Sequence, residues 1–236
     1  MTVSEIMAEL AAMGSDGIKK ILLKHGVKEP FFGVKVEHLK TIQKKIKKDY
    51  QLAKDLYATG NADAMYLAGL IADDEIMTTA ELNTWVEQAV SNNISEYTVP
   101  WVTAGNPKGY ELASQWINDP REHVAAAGWS ALSNIVSFWD DNALDMEELK
   151  NLLKRVATDI ETSKSRVRAA MNIFIISVGI YVHELTELAI ATALQIGRVT
   201  VIKEGTACKT PDATEYINKA IAKSKGPVAK KKMVKC

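Results

Sequence analysis

The segment Asn92-Asn-Ile-Ser-Glu-Tyr-Thr-Val-Pro-Trp101 gathers a carboxylate, a phenol and an indole beside a proline. Proline kinks or starts a helix, so Glu96 is expected to project from an irregular junction. A carboxylate among aromatic rings can bind or stabilise a cation, with Tyr97 and Trp101 as the rings nearest in sequence. The plainer alternative puts both rings in the core and Glu96 in solvent. A second group is Arg166 and Arg168, flanking Val167 at the head of an apolar run, preceded by Ser163, Lys164 and Ser165. Free N–H groups at a helix start, together with Arg and Lys, make a phosphate site. Lys35, Lys40 and Lys44 supply further cations, as do Lys230, Lys231 and Lys232 near the C-terminus. These are read as DNA-binding candidates, against ordinary solvation.

Other chemistries find no support. His25, His38, His123 and His183 are scattered, and Cys208 and Cys236 do not complete a ligand set with them, so no metal is expected. There is no phosphate-cradling glycine loop and no nucleophile elbow, and no cofactor is expected. No apolar run reaches the roughly 18 residues of a membrane span. The start, Met1-Thr-Val-Ser-Glu5, has no signal-peptide pattern. Two cysteines fit a reducing, cytoplasmic setting.

The formal charge of the 236 residues is zero, yet unevenly spread. Residues 1–50 carry +4, 51–150 carry −12, 151–200 carry +2 and 201–236 carry +6. Basic ends suit a polyanion, and the acidic middle suits a basic protein partner.

The elements that must position these groups are helices. One phrase recurs three times: Ala62–Ala72, Arg121–Leu132 and Arg166–Ile176. Each has a polar start, a small-residue middle and an apolar end. Gly69, Gly128 and Met171 occupy the middles, 59 and 43 residues apart. Small residues let helix backbones approach closely, and repeated helix pairs imply an all-α, α–α superhelix of the HEAT/ARM type. Turn chemistry at Gly14, Gly26, Gly60-Asn61, Asp73-Asp74, Asn92-Asn93, Gly105-Asn106-Pro107, Asp119-Pro120, Asp140-Asp141 and Gly197 divides the helices. One helix is expected over 94–104. Val199–Ile202 is the one plausible strand. Residues 1–222 read as a single domain, and 223–236 as a basic tail, mobile unless bound.

Three stretches then resemble the DNA alkylation repair family, the HEAT-like AlkC/AlkD group of alkylpurine DNA glycosylases. They are Pro30–Ile42, Glu96-Tyr-Thr-Val-Pro100 and Asp119–Ala127. The likeness spans most of 30–197. The segment from Thr206 to Cys236 is similar to one branch of the family and not to its best-known glycosylases. The resemblance implies a concave basic surface holding duplex DNA by its backbone. It also implies removal of cationic N3- or N7-alkylpurines. The family's catalytic Asp falls on Glu96, which keeps a carboxylate. Its two Trp positions fall on Asn92 and near Asn172, and its Arg near Ala125, so three of four differ. Trp101 and Trp129, with Tyr97, are the aromatics that stand in as lesion-facing candidates. Three readings stay open: a glycosylase using Glu96, a non-catalytic binder of DNA structure, and a protein-interaction scaffold. Alkylated duplex DNA is the expected partner.

Overall fold

Six of the helices start where the sequence supplies a side-chain cap. Thr2 and Glu5 form a capping box at α1 (Val3–Met13), and Thr78 and Glu81 form another at α6 (Thr79–Gln88). Asp49, Asn61, Asp145 and Asp212 accept N–H groups at α4 (Tyr50–Tyr57), α5 (Ala62–Ile71), α10 (Met146–Asp159) and α13 (Ala213–Lys223). The others are α2 (Asp16–Lys24), α3 (Val36–Ile46), α7 (Val99–Ala104), α8 (Gly109–Trp116), α9 (Glu122–Phe138), α11 (Ser165–Tyr181) and α12 (Thr186–Ile196). The structure is a computed structural model and describes residues 1–201, 210–224 and 226–235. Among the described residues there is no strand. Val199–Val201 is irregular, while Ile202, Cys208 and Cys236 lie outside the described residues. No single helix among the described residues is long and apolar enough to cross a membrane; α11 and α12 pass only as a pair bent by 113°.

The helices form an α–α superhelix of HEAT-like repeats. Two hydrophobic clusters run along it, and α9 belongs to both. Val124 and Ala127 join the N-terminal cluster of Ile6, Leu39, Leu67 and Trp101. Ala126, Trp129 and Leu132 join the C-terminal cluster of Leu153, Phe174 and Ile217. A helix with an apolar stripe on one side could serve only one cluster. α9 is buried almost all round, so it serves two.

The recurrent small residues do what their spacing implies. A Cβ on Gly128 would sit 2.7 Å from the Ile117 N and 2.9 Å from the Ala113 O, both backbone atoms of the preceding helix pair. A Cβ on Gly69 would meet the Thr98 Cγ2 at 2.4 Å. In α11 the close approach has moved. Met171 fills the equivalent middle position, and Gly179 instead lies against Ile217 of α13.

The helix expected over 94–104 is split. Ile94–Thr98 forms a π turn, and α7 begins at Val99 with Pro100 in its first turn. Proline has no N–H to give, so the ladder is broken there. The Val99 N–H reaches back five residues to the Ile94 carbonyl, and the wider turn carries Glu96.

Gly128→Ala tests the backbone contact. A methyl there must push rigid backbone, not a flexible side chain, and overpacking of this kind costs about 1–3 kcal/mol. Urea unfolding should show that loss with an unchanged denaturant slope.

Candidate nucleic-acid interface

The N-terminal ends of α9 and α11 and the π turn converge on one group of charges. The Arg166 Nε donates to Glu96 Oε1 at 2.5 Å, and its Nη2 donates to Glu96 Oε2. The fork of the guanidinium thus takes both carboxylate oxygens. The Glu96 side chain is only 13% exposed and that of Arg166 25%. The backbone N–H of Arg166 donates to Glu122 Oε1 at 2.8 Å, which fixes the start of α11 on the start of α9. Lys164, before α11, donates to the Pro120 carbonyl at 2.8 Å. The neighbouring Arg121 is held by Asp119 through Nε at 2.9 Å and Nη2 at 2.7 Å.

Around this pair the candidate residues separate. Tyr97 is 53% exposed, with its ring centroid 6.0 Å from that of Trp101. Trp101 itself is buried and lies edge-on to Tyr66 at 5.3 Å. Trp129 is corrected outright as a lesion-facing candidate. It is 0% exposed, edge-on to Phe174 at 5.2 Å, and covered by the Arg155 guanidinium at 5.7 Å. An indole offers a large area to bury, and on α9 that area faces the core from every side. Arg168 is half-buried, and its Nε has no hydrogen-bond partner among the described residues.

The positions where the resemblance places two Trp and an Arg have other work. The Asn92 Nδ2 donates to the His25 carbonyl at 3.2 Å, and Asn172 donates to the Pro211 carbonyl at 3.0 Å. Ala125 is buried in α9. The histidines form no metal cluster among the described residues.

Lys35 caps α3 and is placed by a buried carboxylate that no sequence motif singles out. Asp63 accepts the N–H groups of Phe32, Gly33 and Val34 at 2.6, 3.0 and 3.3 Å. Burial raises the Asp63 pKa above the usual value, and the three donors oppose that shift. The loop so held leads directly into Lys35, whose Nζ lies 3.4 Å from Glu37.

Lys40 and Lys44 lie further along α3, away from this group. The C-terminal segment departs most from expectation. Instead of hanging free, it runs along the C-terminal ends of the inner helices. Lys230 Nζ donates to the Val136 carbonyl at 2.8 Å and pairs with Asp141 at 2.7 Å. The Lys231 N–H donates to the Ser137 carbonyl at 2.8 Å, and its ammonium sits 5.4 Å from the Tyr181 ring centre. Lys235 donates to the Ala72 carbonyl at 2.9 Å and to Asp74 at 2.5 Å. The Val136, Ser137 and Ala72 carbonyls are therefore capped by the strap, and the Lys230 and Lys235 ammonium groups meet the negative ends of the helix dipoles. Val234 packs against both hydrophobic clusters. Burial pushes the Asp74 pKa up to about 6 and pushes that of Lys235 down, so desolvation outweighs the pairing on both sides.

Much of the acidic middle is also spent inside the molecule. Asp63, Asp74, Glu96, Asp119 and Glu122 take the partners given above. Burial opposes ionisation of Glu81, but Lys54, Tyr50 and Thr78 hold its pKa at about 2.

Comparison with known proteins agrees with this architecture. The family model described as DNA alkylation repair enzyme matches residues 6–217. An uncharacterized protein of Listeria monocytogenes serovar 1/2a is 30% identical over 231 residues, covering 95% of this chain and 100% of that protein. An uncharacterized protein of Listeria innocua serovar 6a is 30% identical over 226 residues, covering 93% and 97%. A solved structure matches with a TM-score of 0.91 and 34% identity over 100% of both chains. It is described as a new family of proteins related to the HEAT-like repeat DNA glycosylases with affinity for branched DNA structures.

Two substitutions test the local energetics. Arg166→Gln leaves the Glu96 carboxylate poorly solvated and unpaired, and should cost about 1–3 kcal/mol, less than a fully buried pair. Adding Glu96→Gln should recover most of that loss, a coupling that a double-mutant cycle measures. Removing residues 226–236 uncaps two helix ends and exposes the seam under Val234. Stability should fall by about 2–4 kcal/mol in urea, given charged hydrogen bonds of about 1.5–3 kcal/mol each and incomplete additivity.

Proposed function

The chain belongs to the DNA alkylation repair family, and from that premise we propose that it binds DNA by its backbone, preferring branched or bent structures, and does not excise bases. The observation that carries this reading is the Glu96–Arg166 fork. An alkylated purine is already cationic, so its excision needs a carboxylate to stabilise the charge left on the sugar or to hold water. A carboxylate whose two oxygens are both taken by a guanidinium has lost that surplus of negative charge. Asn92, Asn172 and Ala125, each engaged in packing or loop contacts, offer no aromatic face or cation to a lesion. The affinity for branched DNA described for the matched solved structure supports the same reading.

In this reading the Glu96–Arg166 pair is a rigid support. Tyr97 presents a ring that can stack on an unpaired or splayed base. Arg168 and Lys35 contact phosphate. DNA with a bend or a branch offers unstacked bases at low cost, which a continuous duplex does not.

The test has two arms. The chain should bind a four-way junction more tightly than a linear duplex of the same length, and Tyr97→Ala should narrow that difference by roughly tenfold, the scale of removing one base–ring stack. Incubated with N-methylated DNA, it should release no N3-methyladenine or N7-methylguanine above the spontaneous rate. Release that Glu96→Gln lowers roughly 100-fold would overturn the reading and restore Glu96 as a catalytic carboxylate.

A further inference from the structure

A second cluster of cations lies at the other end of the inner helices. The Glu96–Arg166 pair sits at the starts of α7, α9 and α11. The C-terminal strap crosses the far ends of α5 and α9. The length of α9 separates the two regions by roughly 25 Å, at 1.5 Å per residue. Between α3 and the strap lies a cleft of about 880 Å³. Lys40, Lys44, Lys47 and Lys48 line one wall and Lys232 and Lys235 the other, over a floor that includes Leu70, Phe138 and Val234.

The lysines here fall into two kinds. Lys235 is neutralised by Asp74, and Lys48 by Asp73 at 3.1 Å. Lys40, Lys44, Lys47 and Lys232 make no ion pair among the described residues, and Glu75 is the one acid in the lining left without a salt bridge there. The dipole of α3 accounts for cations in its last turn, such as Lys44. It accounts neither for Lys40, a turn earlier, nor for Lys232, which arrives from the far end of the chain. Lys40 and Lys44, at i and i+4, share one side of α3, and Lys47 follows as its C-cap residue. Like charges so arranged repel each other, and an apolar floor strengthens that field. The strap adds to the cost: Lys230 and Lys235, bound to helix-end carbonyls on either side, hold Lys232 in the cleft.

We propose that the cleft between α3 and the C-terminal strap is a second phosphate-backbone site, which takes a second arm of a branched DNA. The proposal rests on the DNA-binding reading above and adds where the second arm goes. Two DNA-contacting surfaces at opposite ends of one helix row suit arms that diverge from a single point. One arm meets Arg168 and Tyr97; the other runs over Lys40, Lys44, Lys47 and Lys232. Its phosphates displace the counterions that the unpaired lysines otherwise hold, so the contact is salt-dependent.

The experiment measures binding of the full chain to a fluorescent four-way junction and to a linear duplex through a salt titration. Lys40→Gln, Lys44→Gln and Lys47→Gln are combined in one variant, with Lys232→Gln in another, and thermal melts verify that both fold. For the junction, the slope of log affinity against log salt should shrink by about 2–3 in the triple variant and by about 1 in Lys232→Gln, at roughly 0.9 for each phosphate no longer neutralised. Affinity for the linear duplex should change less than about threefold, because one arm needs one site. An unchanged junction slope, or equal losses on junction and duplex, overturns the second site while leaving DNA binding standing. Wild-type chain that binds neither probe overturns the DNA reading and this site together.

Discussion

The backbone-to-backbone approach of α9 onto the preceding helix pair, at Gly128, is the constraint from which the rest of the architecture follows. With no side chain there, α9 lies close enough to α8 to share cores with both halves of the chain. On its other side α9 packs against α11, and at their starts Glu122 accepts the Arg166 N–H. The close approach also brings the ends of α5 and α9 within reach of one extended strap. A wider spacing would separate the charges at one edge and leave bare carbonyls at the other.

Charge in this protein is organised along helix ends. Acids cluster where N–H groups are unsatisfied, as with Asp63, Asp49 and Asp145, and lysines where carbonyls are, as with Lys230 and Lys235. Both choices satisfy backbone groups and complement the dipoles. The strongly negative middle and positive terminus are thus two halves of one internal arrangement. Among the described residues, the cations left without an ion pair include Arg168 in α11 and Lys40, Lys44, Lys47 and Lys232 in their cleft.

The π turn shows how one proline changes the chemistry available. Pro100 interrupts the ladder, the turn widens, and Glu96 is carried to where Arg166 can grip it. The Glu96 carboxylate is answered by the Arg166 guanidinium. A carboxylate meant to stabilise a cationic transition state must present its charge to the substrate. In the proposed reading this position is a support beside Tyr97.

The sequence by itself determined the helices and their stacking. Caps, turn residues and apolar spacing are local, and they divided the chain into its helices at the turns, together with the small residues that let α5 and α9 pack closely. It also placed Glu96 at an irregular junction, because proline acts on its own turn. Only the tertiary structure decided which charges meet. Glu96 and Arg166 are 70 residues apart, and Lys235 and the carbonyl of Ala72 are 163 apart. No periodicity encodes such pairs; they exist because the superhelix brings successive helix ends into line. For the same reason Trp129, one aromatic among five tryptophans in the sequence, proved to be core, and a lysine-rich tail proved to be a strap. Side-chain type fixes what a residue can do, but its burial and partner come from helices that are distant in the chain and adjacent in space.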